Sequence, residues 1–106
     1  MIIQVHTDNH IQGSQELTNH VVAVVEASLE RFKDRLTRVE VQFSDQSSAA
    51  KSSDTDKRCK LEARPNGLQP VVVSFDSNSV DHALHGAVER LERLLDHTFG
   101  RLNDAR

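Results

Sequence analysis

The residues with most to offer chemically are basic. Arg31, Lys33, Arg35 and Arg38 crowd one short stretch; Lys57, Arg58, Lys60 and Arg64 crowd a second; Arg90, Arg93 and Arg101 are spread along a third. Cationic side chains gathered on one surface bind phosphates and release the counterions condensed around a nucleic acid. These positions are therefore the candidate RNA-binding set. The plainer reading is a solvated surface of mixed charge, since basic residues near a helix C-terminus also complement its dipole. The formal net charge of −3 excludes binding by bulk positive charge, so any nucleic-acid site must be a local patch.

Other chemistries find less support. His82 and His85 are three apart, the spacing of two metal ligands on one helical face, but no second pair stands at a ligand-like spacing. His6, His10 and His20 would join them only through tertiary folding. The expectation is surface histidines and no metal site. Cys59 is the single cysteine and forms no internal disulfide, which points to a reducing compartment, the cytoplasm. A small buried core residue is the expected role for it, rather than a nucleophile. No nucleophile elbow or phosphate loop is present, and the polar run Asp45–Asp56 lacks the spacing of a calcium loop. The expectation is therefore no enzyme, no cofactor and no small-molecule substrate.

These side chains must be carried by regular elements, and their order is legible. At 106 residues, with 37% apolar and 27% charged residues, the chain has the make-up of one small globular domain. Met1–Thr7 reads as a first strand. Ser14 caps a helix from Gln15 to about Leu36, with an apolar stripe at Leu17, Val21, Val24, Val25, Leu29, Phe32 and Leu36. Arg38–Ser44 alternates strictly, with Val39, Val41 and Phe43 on one side.

After the polar connection 45–56 comes a third strand, Lys57–Arg64, with Cys59, Leu61 and Ala63 inward. Pro65-Asn66-Gly67 is a turn, and Pro70–Asp76 is a fourth strand with Val71, Val73 and Phe75 inward. Ser79 then caps a long helix to Leu102. Its apolar residues Leu84, Ala87, Val88, Leu91, Leu94, Leu95, Phe99 and Leu102 hold one face for about six turns. Residues 103–106 are expected to fray, and no apolar run is long enough to span a membrane.

The predicted order is β-α-β-β-β-α, an α+β domain over residues 1–106. A four-stranded mixed sheet has both helices packed on one face, strands one and two parallel and the later pairs antiparallel. The open face then shows Gln4, His6, Arg38, Glu40, Gln42, Arg58, Lys60, Glu62 and Arg64. It lacks the aromatics that stack single-stranded bases, which leaves backbone or shape recognition of structured RNA.

The element order, with a final helix reading ALHGAVERLERLL, resembles the ribosome hibernation-promoting and ribosome-associated inhibitor proteins of bacteria. Ala83, Leu84, Arg90, Leu91, Glu92, Arg93 and Leu95 occupy that family's final-helix pattern, with Leu for Ile and Arg for Lys. The opening IIQVHTDN, the string ERFKDRLTRVEV and the VVVS strand fit as well. The resemblance implies a cytoplasmic, non-catalytic protein of the short form. It implies binding to the small ribosomal subunit and its ribosomal RNA through Lys and Arg, occluding the messenger and transfer RNA channel under stress.

A member that kept the fold but binds another protein, or itself, without binding ribosomes is the alternative. The two readings separate in space. A continuous positive surface favours RNA, and basic residues interrupted by acidic ones favour a protein partner.

Overall fold

The structure, a computed structural model, describes residues 1–8, 11–46 and 56–104, with side chains through Gly100. The elements are β1 (Ile2–Thr7), α1 (Gln15–Ser28), a 3-10 helix (Glu30–Arg35), β2 (Leu36–Asp45), β3 (Lys57–Pro65), β4 (Val71–Ser77) and α2 (Val80–Asp104). The sheet order is β1-β2-β3-β4; β1 and β2 are parallel, and the two later pairs are antiparallel. This is the expected α+β architecture.

Alternation places the core. Val39, Val41 and Phe43 of β2 and Cys59, Leu61 and Ala63 of β3 are buried on one side of the sheet. Ile3 and Val5 at one edge, and Val71, Val73 and Phe75 at the other, pack partly buried against them. Val21 and Val25 of α1, then Leu29, and Ala83, Leu84, Ala87, Val88, Leu91, Leu95 and Phe99 of α2 cover that side. The caps are as read: the Ser14 and Ser79 hydroxyls accept from the backbone N–H of Leu17 and His82. At the tight turn, Gly67 takes φ 72°, a left-handed conformation that Gly adopts without strain.

The first helix is shorter than expected. It ends at Ser28, the chain tightens into the 3-10 helix, and Leu36 already belongs to β2. The Leu29 amide still bonds the Val25 carbonyl, but the Phe32 amide bonds the Leu29 carbonyl in a three-residue step. Leu29, Phe32 and Leu36 are all buried, as the stripe requires. A spacing of three suits a 3-10 turn as well as an α-helix, so the apolar pattern was right and its backbone was not.

A second difference is Ile11, which stands between the first strand and the Ser14 cap, outside every apolar stripe of the sequence, but is buried in the core. Its amide donates to the Asp8 side chain at 3.1 Å, and the other Asp8 oxygen accepts from the Asp45 amide at 3.1 Å. Asp8 thus ties the end of β1 to the end of β2. The polar connection 45–56 lies largely outside the described residues, as does the end of the expected frayed tail.

Candidate nucleic-acid interface

The fold sorts the basic residues into groups. The 3-10 helix carries Arg31, Lys33 and Arg35 at the end of the molecule where β2 begins and β3 ends. There the Arg35 carbonyl accepts from the Asn66 amide at 2.9 Å, and Arg38 and Arg64 stand directly opposite each other on β2 and β3. Arg58 and Lys57 lie at the other end of β3, Lys60 lies between, and Arg90 reaches from α2 to the β4 edge. Arg93 is on the exposed side of α2. Arg101 lies in the last turns of α2, beyond the described side chains. No single face holds the whole set, because strand-borne groups point away from the helices.

Most of the described cations are already partnered. Arg31 grips Asp96 through both of its terminal nitrogens, at 2.6 and 3.1 Å, with Glu92 at 3.8 Å. Lys33 pairs with Glu30 at 2.9 Å and Arg93 with Glu89 at 3.0 Å. Lys57 sits between Asp45 and Asp56, at 3.1 and 3.2 Å. Arg58 holds Asp76 across β3 and β4 through two nitrogens, at 2.8 and 3.2 Å. Arg38 and Arg64 meet Glu40 and Glu62, at 3.6 and 3.2 Å.

These contacts move the titrations. The hydrogen bonds that Arg31, Lys33, Lys57 and Arg58 donate to their carboxylate partners raise the titrations of these four cations, while the Arg58 guanidinium holds Asp76 below the usual carboxylate range.

Among the described residues, three members of the set have no carboxylate at ion-pair distance. Lys60 stands mid-sheet, opposite Gln42 and Ser74. Arg35 lies 3.9 Å above the Phe99 ring, and Phe99 in turn packs against Phe32 at 5.6 Å between centroids. Arg90 donates to the Ser74 carbonyl at 2.7 Å and lies over the Phe75 ring at 4.9 Å. With Ser74, Phe75 and Asp76 it lines an open recess of about 240 Å³ at the β4 edge.

The open sheet face is ordered in rungs. Arg38 faces Arg64, Glu40 faces Glu62, and Gln42 faces Lys60, so like charges oppose each other across β2 and β3 while opposite charges alternate along each strand. The chain's four Phe all fall elsewhere: Phe32, Phe43 and Phe99 are buried, and Phe75 lies under Arg90. Base stacking on the open face therefore has no platform. What the face can do is exchange partners: an exposed ion pair contributes at most about 1 kcal/mol, so a phosphate can replace a carboxylate at little cost.

The histidines are arranged differently from the sequence reading. His82 turns to Asn78, its Nδ1 3.1 Å from the amide oxygen, and does not meet His85. His85 instead shares Asp81 with His20 of α1, at 3.5 and 2.8 Å. The imidazole of His20 holds Asp81 below the usual carboxylate range, and the nearby His85 and His82 add to the effect. The four-residue step from Asp81 to His85 was visible in the sequence; the arrival of His20 required the packing of α1 beside α2. Cys59 is fully buried, and burial pushes its thiol up to about 12.

Solved structures share the architecture. The N-terminal domain of Thermus thermophilus Protein Y superposes with a TM-score of 0.70 at 22% identity, over 92% of this chain and 99% of that one. A ribosomal subunit interface protein from Coxiella burnetii does so with a TM-score of 0.70 at 16% identity, over 94% and 99%. The comparison with curated proteins finds no match. The family profile described as sigma 54 modulation protein / S30EA ribosomal protein matches residues 3–103, nearly the whole chain, and with the sheet and helices in the family's order the chain belongs to that family.

Proposed function

We propose that this protein binds the small ribosomal subunit and restrains translation by occupying the channel of messenger and transfer RNA, with Lys and Arg side chains against ribosomal RNA phosphates. The observation that carries this reading is the family match across residues 3–103. The Coxiella structure, described as a ribosomal subunit interface protein, supports it. Lys60, Arg35 and Arg90 are the first contacts to test, because phosphate binding at these positions does not have to displace a carboxylate among the described residues. The paired residues Arg38, Arg58 and Arg64 follow by exchange. Catalysis has no part in this reading.

The test is co-sedimentation of the purified chain with small ribosomal subunits over a salt series. Binding is expected to weaken steeply with salt, and each phosphate contact removed, as in Lys60→Ala, to reduce the slope of log K against log salt by about 1. Absence of co-sedimentation at low salt overturns the reading.

The interleaving of Glu40, Glu62 and Asp76 with the cations of the open face favours a second one: a protein partner of mixed charge, without ribosome binding. Salt-insensitive capture of a protein by the chain, with no ribosome binding, is its signature.

A further inference from the structure

A cluster of metal-ligating side chains at the paired N-terminal ends of the helices is not used by the proposed ribosome contacts. His20 projects from the second turn of α1, and Asp81 and His85 from the first turns of α2. Ser79 caps α2 and so fixes where that helix starts, and the four-residue step puts Asp81 and His85 on one face. His20 Nε2 is 2.8 Å and His85 Nε2 3.5 Å from the same Asp81 oxygen, and one ligand atom from each of the three lies within 4.8 Å of the others. We propose that His20, Asp81 and His85 form a binding site for a divalent ion of the zinc class, joining α1 to α2.

The donor geometry fits. Tetrahedral zinc with bonds of about 2.0–2.1 Å sets its donors about 3.3 Å apart. Two of the separations bracket that value, and the third closes by rotation of half-exposed imidazoles. The donor set also selects the metal. Two imidazoles and one carboxylate suit late first-row ions, whereas calcium and magnesium ask for oxygen ligands throughout. Three protein ligands leave the remaining position to water on the exposed side. Glu16, four residues before His20 on α1, adds negative charge on the same helical face. His82 is oriented to Asn78 and stays outside the site.

Such an ion would cross-link positions 61 residues apart in the chain. It would tie together the helix starts at the end of the molecule opposite the 3-10 helix, so its effect is a metal-dependent clamp on α1. The inference does not rest on ribosome binding.

The test is calorimetric titration of the full, untagged chain with Zn²⁺, paralleled by Co²⁺ absorption in the visible. One equivalent is expected to bind with micromolar or tighter affinity and to raise the thermal midpoint. His20→Ala and His85→Ala are each expected to weaken binding by about tenfold or more, and His82→Ala to leave it within about twofold, since only ligands carry the metal. All three positions are exposed, and circular dichroism checks that each variant is folded. No binding by the wild-type chain, unchanged affinity in His20→Ala or His85→Ala, or loss of binding in His82→Ala would each overturn the proposal.

Discussion

Gly86 of α2 faces the ring of Phe75 on β4 so closely that a Cβ on Gly86 would run into the ring carbons. The absent side chain lets α2 settle against the sheet edge, with Arg90 covering the other part of the ring. Ala is the better helix former by about 1 kcal/mol, and overpacking costs about 1–3 kcal/mol. Gly86→Ala is therefore expected to lower stability by up to about 2 kcal/mol, read as a lower urea midpoint at unchanged m-value. A variant as stable as wild type would mean that Phe75 moves aside freely.

Glu40 faces Glu62 across β2 and β3, and a pair of like charges directly opposite is unfavourable. Glu40→Lys turns that rung into an attractive one while giving up the loose 3.6 Å contact with Arg38. The expected outcome is a gain of a few tenths of a kcal/mol, about 0.5 at most. On the ribosome reading, the same variant should also co-sediment more strongly at moderate salt. Chemical denaturation and co-sedimentation of one preparation check both.

Asp76 titrates below the usual carboxylate range because Arg58 donates to it. A carboxylate depressed in the folded state stabilises the fold above its unfolded pKa, and that contribution is lost as pH falls through the lower folded value. Stability should therefore fall below about pH 4 in part through this pair. Asp76→Asn is expected to narrow the gap between urea midpoints at neutral and acid pH. An identical gap in the variant would show that Asp76 takes no part.

Cys59 is fully buried and its thiol is pushed up to about 12. The thiolate is the reactive species, so a thiol reagent should modify the native protein only as fast as the chain opens. Labelling is expected to be slow in buffer and to accelerate as urea is added. Modification at the rate of a free thiol in buffer would contradict the burial.

Alternation and caps were legible because each depends on neighbouring residues. The strands around Phe43, Leu61 and Val73, and the starts at Ser14 and Ser79, could be read directly. The end of α1 could not: Leu29 and Phe32 satisfy a three-residue step and a helical turn alike, and only the sheet's demand for Leu36 decides between them. Ile11 was hidden because its burial depends on Asp8 reaching both its own loop and β2. For the candidate site, the basic residues were visible, and so was a near partner such as Glu89, four residues before Arg93 on one helix, but the distant carboxylate partners were not. Asp96 is 65 residues from Arg31, and Asp76 is 18 from Arg58, so no local pattern announces either pair.

The rungs of the open face bear on how β2 and β3 find each other. If β3 slid by two residues, Arg38 would meet Glu62 and Glu40 would meet Lys60. Both contacts are attractive, where the native pairing sets Arg against Arg and Glu against Glu. The solvent side of this hairpin thus prefers a misregistered pairing. The buried side forbids it, because the slide would carry Lys57 into the place of Cys59 opposite Phe43. A peptide holding only residues 36–65 is expected to populate both pairings by nuclear Overhauser contacts, and the intact chain only one. Fidelity of strand pairing therefore rests on the helices: until they cover the buried side of β2 and β3, the exposed charges pull the hairpin toward the wrong partner.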